Sequence, residues 1–101
     1  MSSLTHRLEE TGNGSTLYFD GEIDLSNSKS VRVVILGALD NTQSLAVDLS
    51  RVSYMDSSGI ANLIEGLQRA RSSAKTFRVC EVSEPVRMVL RMAQLEKILV
   101  A

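Results

Sequence analysis

The sequence predicts an α/β domain in the order β-β-α-β-α-β-α-β. Its sheet is mostly parallel, opens with an antiparallel hairpin and is covered by three helices. Three observations predict it. Two β-forming runs flank the turn cluster Thr11-Gly12-Asn13-Gly14. Apolar residues then recur at helical spacing in three separate windows. Short, mostly apolar runs lie between those windows, as strands buried on both faces require. Strands alternating with helices give parallel pairing through crossover connections. The 101 residues suffice for one core, so residues 1–101 are read as a single domain.

Each element has its own reason. Leu4 to Glu10 is the first strand and the weaker of the pair. Ser15-Thr16-Leu17-Tyr18-Phe19 is richer in β-formers. Gly21-Glu22-Ile23-Asp24 closes the hairpin, and Leu25-Ser26-Asn27-Ser28 offers several helix caps. Val31, Val34, Ile35, Ala38 and Leu39 mark the first helix. Its β-branched residues are poor helix formers, so burial must hold it. Leu45-Ala46-Val47-Asp48-Leu49 is the central strand, and Arg51 to Tyr54 reads as a connector. Ile60, Leu63, Ile64, Leu67 and Ala70 form the stripe of the middle helix, with Asn62, Glu65, Gln68 and Arg69 on its polar side. Phe77 to Val82 is the next strand. Ser83-Glu84-Pro85 opens a third helix, with serine as cap and proline where its missing N–H costs little. Met88 and Met92 are expected to pad that helix. Ile98-Leu99-Val100 is expected as a closing strand.

Composition excludes several function classes. Hydrophobic residues make up 44% and the net charge is -1, so bulk charge points to neither nucleic acid nor an anionic membrane. Residues 57–101 carry seven bases against four acids, but a single aromatic, Phe77, lies among them, where single-stranded nucleic acid would need an interleaved series. The one cysteine, Cys80, cannot form an internal disulfide and reads as a small buried hydrophobe. The first residues lack an apolar signal region and no run is long enough to span a membrane, which implies a cytoplasmic protein without membrane insertion. One histidine, His6 near the N-terminal end, leaves no partner for a Ser-His-Asp triad. No His/Cys cluster suggests a metal, and neither common nucleotide-binding glycine pattern occurs. The expectation is a binding module with no cofactor, not an enzyme.

The junction Tyr54-Met55-Asp56-Ser57-Ser58-Gly59-Ile60 carries the chemistry. Taken alone, Asp-Ser-Ser-Gly reads as capping: Asp56 or Ser57 caps the middle helix and Gly59 permits close packing. Its setting suggests more. A phosphate at a helix start is accommodated locally by free N–H groups and the positive dipole end. The same phosphate adds about -1.5 to -2 charges to a neutral surface. A partner packed closely there would then meet repulsion and a desolvation cost, which Asp56 deepens.

Four segments in register resemble STAS domains, and the whole is similar to a bacterial anti-sigma-factor antagonist over residues 4–100. They are Gly21-Glu22-Ile23-Asp24 after the hairpin, Leu45-Ala46-Val47-Asp48-Leu49-Ser50 as the central strand, Met55-Asp56-Ser57-Ser58-Gly59-Ile60 before the middle helix, and Val82-Ser83-Glu84-Pro85-Val86 before the last. The resemblance implies the STAS fold and a partner-switching phosphoprotein in signal transduction and transcription regulation. The unphosphorylated antagonist binds an anti-sigma factor that is also a serine kinase. Phosphorylation releases it, and a metal-dependent serine phosphatase restores binding. Carried across, Ser57 is the phospho-acceptor and Ser58 its neighbour. Asp56 flanks the site and Asp24 lies near it; the expected partner surface is Asp24, Leu25, Asn27, Asp56, Ser57, Ser58, Gly59, Asn62 and Glu65, with Gln68 beside them on the middle helix. ATP belongs to the kinase. Two departures stand out: Gly59-Ile60-Ala61 replaces the usual Gly-Leu-Gly, and the C-terminal helix of many relatives is missing. Leu63-Ile64-Glu65-Gly66-Leu67-Gln68 also resembles family members encoded with lipid-transport ABC permeases. That branch implies an alternative, a cytoplasmic subunit bound to an ABC ATPase and permease.

Overall fold

The computed structural model describes residues 3–100. Strand β1 (Leu4–Thr11) turns through Gly12 and Asn13 into β2 (Gly14–Ile23). Gly12 takes φ +59, the conformation a two-residue hairpin asks of its first turn residue when that residue is glycine. Then follow α1 (Ser28–Asp40), β3 (Ser44–Met55), α2 (Ser57–Ser72), β4 (Thr76–Val82), α3 (Glu84–Met92) and the single-turn α4 (Glu96–Leu99). The strands lie in the order β1-β2-β3-β4, antiparallel for the first pair and parallel for the other two.

One core accounts for the arrangement. Leu17 and Phe19 of β2, Leu45, Val47 and Leu49 of β3, and Phe77 and Val79 of β4 point to one side of the sheet. Val31 and Ile35 of α1, Leu63 and Ala70 of α2, Val86 and Leu90 of α3, and Leu99 of α4 join the same cluster. All four helices therefore cover one face. The alternate residues, among them Arg7, Tyr18, Asp48 and Arg78, lie on the uncovered face, as the two-residue period of a strand dictates. Gly66 lets α2 approach the sheet, because a Cβ there would stand 2.8 Å from the Phe77 ring.

The structure corrects three local expectations. Residues 51–54 are not a connector: β3 continues through them to Met55, beside a β2 that reaches Ile23. Val52 and Met55 are buried while Ser53 and Tyr54 are exposed, and register shifts in the β2–β3 ladder break the simple alternation. Ile98 and Leu99 belong to a helical turn, and only Val100 reaches β4, through one parallel bridge to Val79. Met88 and Met92 do not pad α3; both face solvent. Cys80 is half-buried with its thiol 3.6 Å from the Val47 carbonyl, and burial pushes that thiol's pKa up.

Two helices end in the same way. The Lys75 N–H bonds the Ala70 carbonyl (2.8 Å) and the Leu95 N–H bonds the Leu90 carbonyl (2.8 Å), closing α2 and α3 through left-handed residues Ala74 (φ 56) and Gln94 (φ 60). Glycine is the usual occupant of that position. Ala74→Gly is therefore expected to raise stability by up to about 1 kcal/mol. Gly66→Ala is expected to lower it by about 1–3 kcal/mol through overpacking against Phe77. Urea unfolding of both variants checks the opposed signs.

Candidate functional site

The site forms where the C-terminal ends of β2 and β3 meet the first turns of α1 and α2. The Asp56 N–H bonds the Ile23 carbonyl (3.3 Å), so the strand ends stay paired up to the junction. Asp56 itself is extended (φ -105, ψ -171) and caps α2. One carboxylate oxygen accepts the Ser58 N–H (2.9 Å) and the Ser58 hydroxyl (2.5 Å). The other accepts the Leu25 N–H (3.2 Å) from the loop before α1. These bonds, the Ser58 hydroxyl's first, hold the Asp56 carboxyl below its ordinary pKa.

The two serines are thereby distinguished. Ser58 is half-buried and its hydroxyl is engaged by Asp56. Ser57, the first residue of α2, is exposed, and among the described residues its hydroxyl has no hydrogen-bond partner. Of the two capping choices open in the sequence, Asp56 is the cap. Ser57 is left free.

The neighbouring loop is self-supporting. Asp24 accepts the Ser26 N–H (2.9 Å) and the Ser26 hydroxyl (2.5 Å). Asn27 does not cap α1 with its side chain. Its amide instead donates to the Glu22 carbonyl (2.8 Å) and accepts the Asp24 N–H (3.0 Å). Leu25, with 76% of its surface exposed, is the apolar residue this loop presents to solvent.

Two of the expected contact residues point inward. Asn62 is buried and donates to the Ser28 carbonyl (3.0 Å), fastening α2 to the first turn of α1. Gly59 is also buried, and a Cβ there would lie 2.6 Å from the Met55 side chain and 3.0 Å from that of Ile23. Both shape the site from below instead of offering a contact. Glu65 lies at the surface but is occupied by a two-pronged ion pair with Arg32, both bonds 2.7 Å. That pair lowers the Glu65 pKa and raises that of Arg32. Sequence reasoning missed Arg32, which lies 33 residues from its partner and in no motif. His6 lies within β1 beside Phe19, with ring centroids 6.2 Å apart.

The family profile described as "Mlab, STAS domain" matches residues 6–101. The chain belongs to the STAS domain family. Solved STAS-like structures superpose over nearly its whole length. An anti-sigma factor antagonist from Mycobacterium paratuberculosis matches at TM-score 0.85 and 22% identity, covering 97% of this chain and 85% of that one. The anti-sigma factor antagonist SpoIIAA in its unphosphorylated form matches at 0.80 and 22%, covering 96% and 88%. The Bacillus cell fate determinant SpoIIAA in its phosphorylated form matches at 0.73 and 22%, covering 96% and 91%. These likenesses bear out the STAS fold read from the sequence. Among the described residues, no helix is long and apolar enough to cross a membrane.

The Asp56 bonds make a signed prediction. Asp56→Ala is expected to cost about 1–2 kcal/mol at pH 7, the range of a lost helix cap. A carboxyl whose folded pKa is depressed stabilises fully above its unfolded pKa and loses that effect as pH falls through the folded value. The gap between wild type and Asp56→Ala is therefore expected to shrink in acid, below about pH 4. Urea unfolding at neutral and acid pH measures it; a gap that widens in acid contradicts the assignment.

Proposed function

We propose that this STAS domain is an anti-sigma-factor antagonist, a binding module and not an enzyme, switched by phosphorylation of Ser57. Unphosphorylated, it binds an anti-sigma factor that doubles as a serine kinase. Phosphorylation by that kinase releases it, and a metal-dependent phosphatase resets it. ATP and metal belong to the partners.

The observation that carries this reading is the free, exposed Ser57 hydroxyl beside a Ser58 hydroxyl already held by Asp56. A kinase needs an accessible acceptor, and Ser57 supplies it. Its place at the first turn of a 16-residue helix sets the phosphate at the positive end of the helix dipole, so the fold accommodates it. The partner does not. Exposed Leu25 and the neutral Ser57 surface suit close packing, while a phosphate beside Asp56 and Asp24 makes that surface strongly negative. The likeness to SpoIIAA, solved in unphosphorylated and phosphorylated forms, supports the same reading.

A second reading has its own support. The profile matched over residues 6–101 is described as Mlab, STAS domain, and not as an anti-sigma-factor antagonist. The resemblance of residues 63–68 to STAS proteins encoded with lipid-transport permeases points the same way. In that role the exposed Ser57–Leu25 surface would dock an ABC ATPase, and Ser57 would stay unmodified.

The test uses the kinase that co-purifies with the tagged protein. Ser57→Ala is expected to abolish phosphate incorporation while Ser58→Ala retains it. Ser57→Asp is expected to weaken binding to the kinase about 10- to 100-fold by calorimetry, the scale of like charge placed at a packed contact. Phosphate mapped to another residue, or unchanged binding by Ser57→Asp, sinks the switch. An ATPase and permease recovered in place of a kinase favour the second reading.

A further inference from the structure

The outer edge of β1 is a self-complementary surface, and we propose that it pairs antiparallel with β1 of a second copy of this chain. The two sheets would then form one continuous eight-stranded sheet. No residue of the Ser57 site takes part.

Geometry fixes which groups are available. The hairpin pairs Thr11 with Gly14 around a two-residue turn, and such turns close on a hydrogen-bonded pair. Thr11, Glu9, Arg7 and Thr5 therefore exchange their backbone bonds with β2. Leu4, His6, Leu8 and Glu10 turn their N–H and C=O groups outward. From Thr5 to Thr11 every residue of β1 is exposed. This is a long unpaired edge, a template for another strand.

Charge then selects the partner and the register. A two-fold pairing must match outward-facing residues with outward-facing residues. Centred on Arg7, it sets Arg7 against Arg7. Centred on Glu9 or Glu10, it sets glutamate against glutamate. Centred on His6, it overlaps less of the strand and leaves both glutamates without a partner. Centred on Leu8, it sets Arg7 opposite Glu9 twice, the one register that pairs these charges, with Leu8 meeting Leu8 and each Glu10 facing an imidazole instead of another carboxylate. Opposite charges directly across a ladder stabilise and like charges destabilise. The charges that discourage misaligned pairing thus favour this one register.

Both faces of the paired strands suit it. On the uncovered face, Arg7 stacks over Tyr18 of β2 at 4.1 Å and reaches Glu9 of its own strand at 2.8 Å; both side chains are exposed, so the guanidinium can turn outward to the partner's Glu9 when the strands pair. On the helix face, Leu8 and Val33 are exposed, at 44% and 68%, around a hollow of about 320 Å³ shared with Leu17 and Val34. Pairing would bring the two Leu8 side chains together beside these hollows. One strand edge is a small interface, so the association would be weak and reversible.

Sedimentation equilibrium from about 10 μM to 1 mM tests it. The wild type is expected to enter a monomer–dimer equilibrium in that range. Arg7→Glu and Glu9→Arg are each expected to weaken it about tenfold or more, because each places like charges opposite one another at two symmetric positions. The double swap Arg7→Glu/Glu9→Arg is expected to restore it. All three swaps are at exposed residues, and circular dichroism confirms that the fold is kept. A wild type that stays monomeric overturns the proposal. So do single swaps without effect, or a double swap as weak as the singles.

Discussion

The Asp56 carboxylate is the interaction on which this junction depends. It takes three donors from two elements: the Leu25 N–H from the loop before α1, and the N–H and hydroxyl of Ser58 from α2. A carboxylate that caps a helix satisfies groups the helix cannot satisfy itself. Here it also joins two helix entries that lie about thirty residues apart in the chain. The backbone bond from Asp56 to Ile23 sets that carboxylate at the end of the paired strands. Ser57 is then exposed by exclusion, since the cap has engaged its neighbour and the helix axis carries its own side chain outward.

Packing beneath the junction does the rest. Gly59 brings the first turn of α2 down onto Met55 and Ile23, leaving no room for a side chain. Asn62 ties the next turn to the start of α1, and the Arg32–Glu65 pair repeats the tie at the surface. The exposed pair is worth little in isolation, yet its two-pronged geometry fixes how the helices meet. The result is a closely packed platform under the Ser57 hydroxyl. Such a platform suits the proposed switch, whose readout would be surface charge without rearrangement of the fold.

Much of this was legible in the sequence because local chemistry and global fold agree. Gly12 in the hairpin, Ser83 and Pro85 at the start of α3, and the apolar stripe of α2 each announce themselves through propensity and period. Two of the four segments behind the STAS resemblance, Gly21 to Asp24 and Met55 to Ile60, coincide with the site. What was not legible depended on partners distant in the chain. Asn62 lies on the polar side of α2 by periodicity, yet α1 covers that side, and nothing local reveals this. Residues 51–54 look like a connector because shifts in the β2–β3 ladder break the alternation that marks a strand. A three-residue apolar run such as Ile98-Leu99-Val100 is too short for periodicity to separate a strand from a helical turn. Burial of Leu99 against the core, with Leu95 packed nearby, decided for the turn.

Amide NMR across a pH titration tests the central claim most directly. If one carboxylate joins the two helix entries, the Leu25 and Ser58 amide protons shift together, with a single apparent pKa below the ordinary carboxylate range. Both transitions vanish in Asp56→Asn. Amides that titrate separately, or a Leu25 amide indifferent to Asp56, would contradict the account.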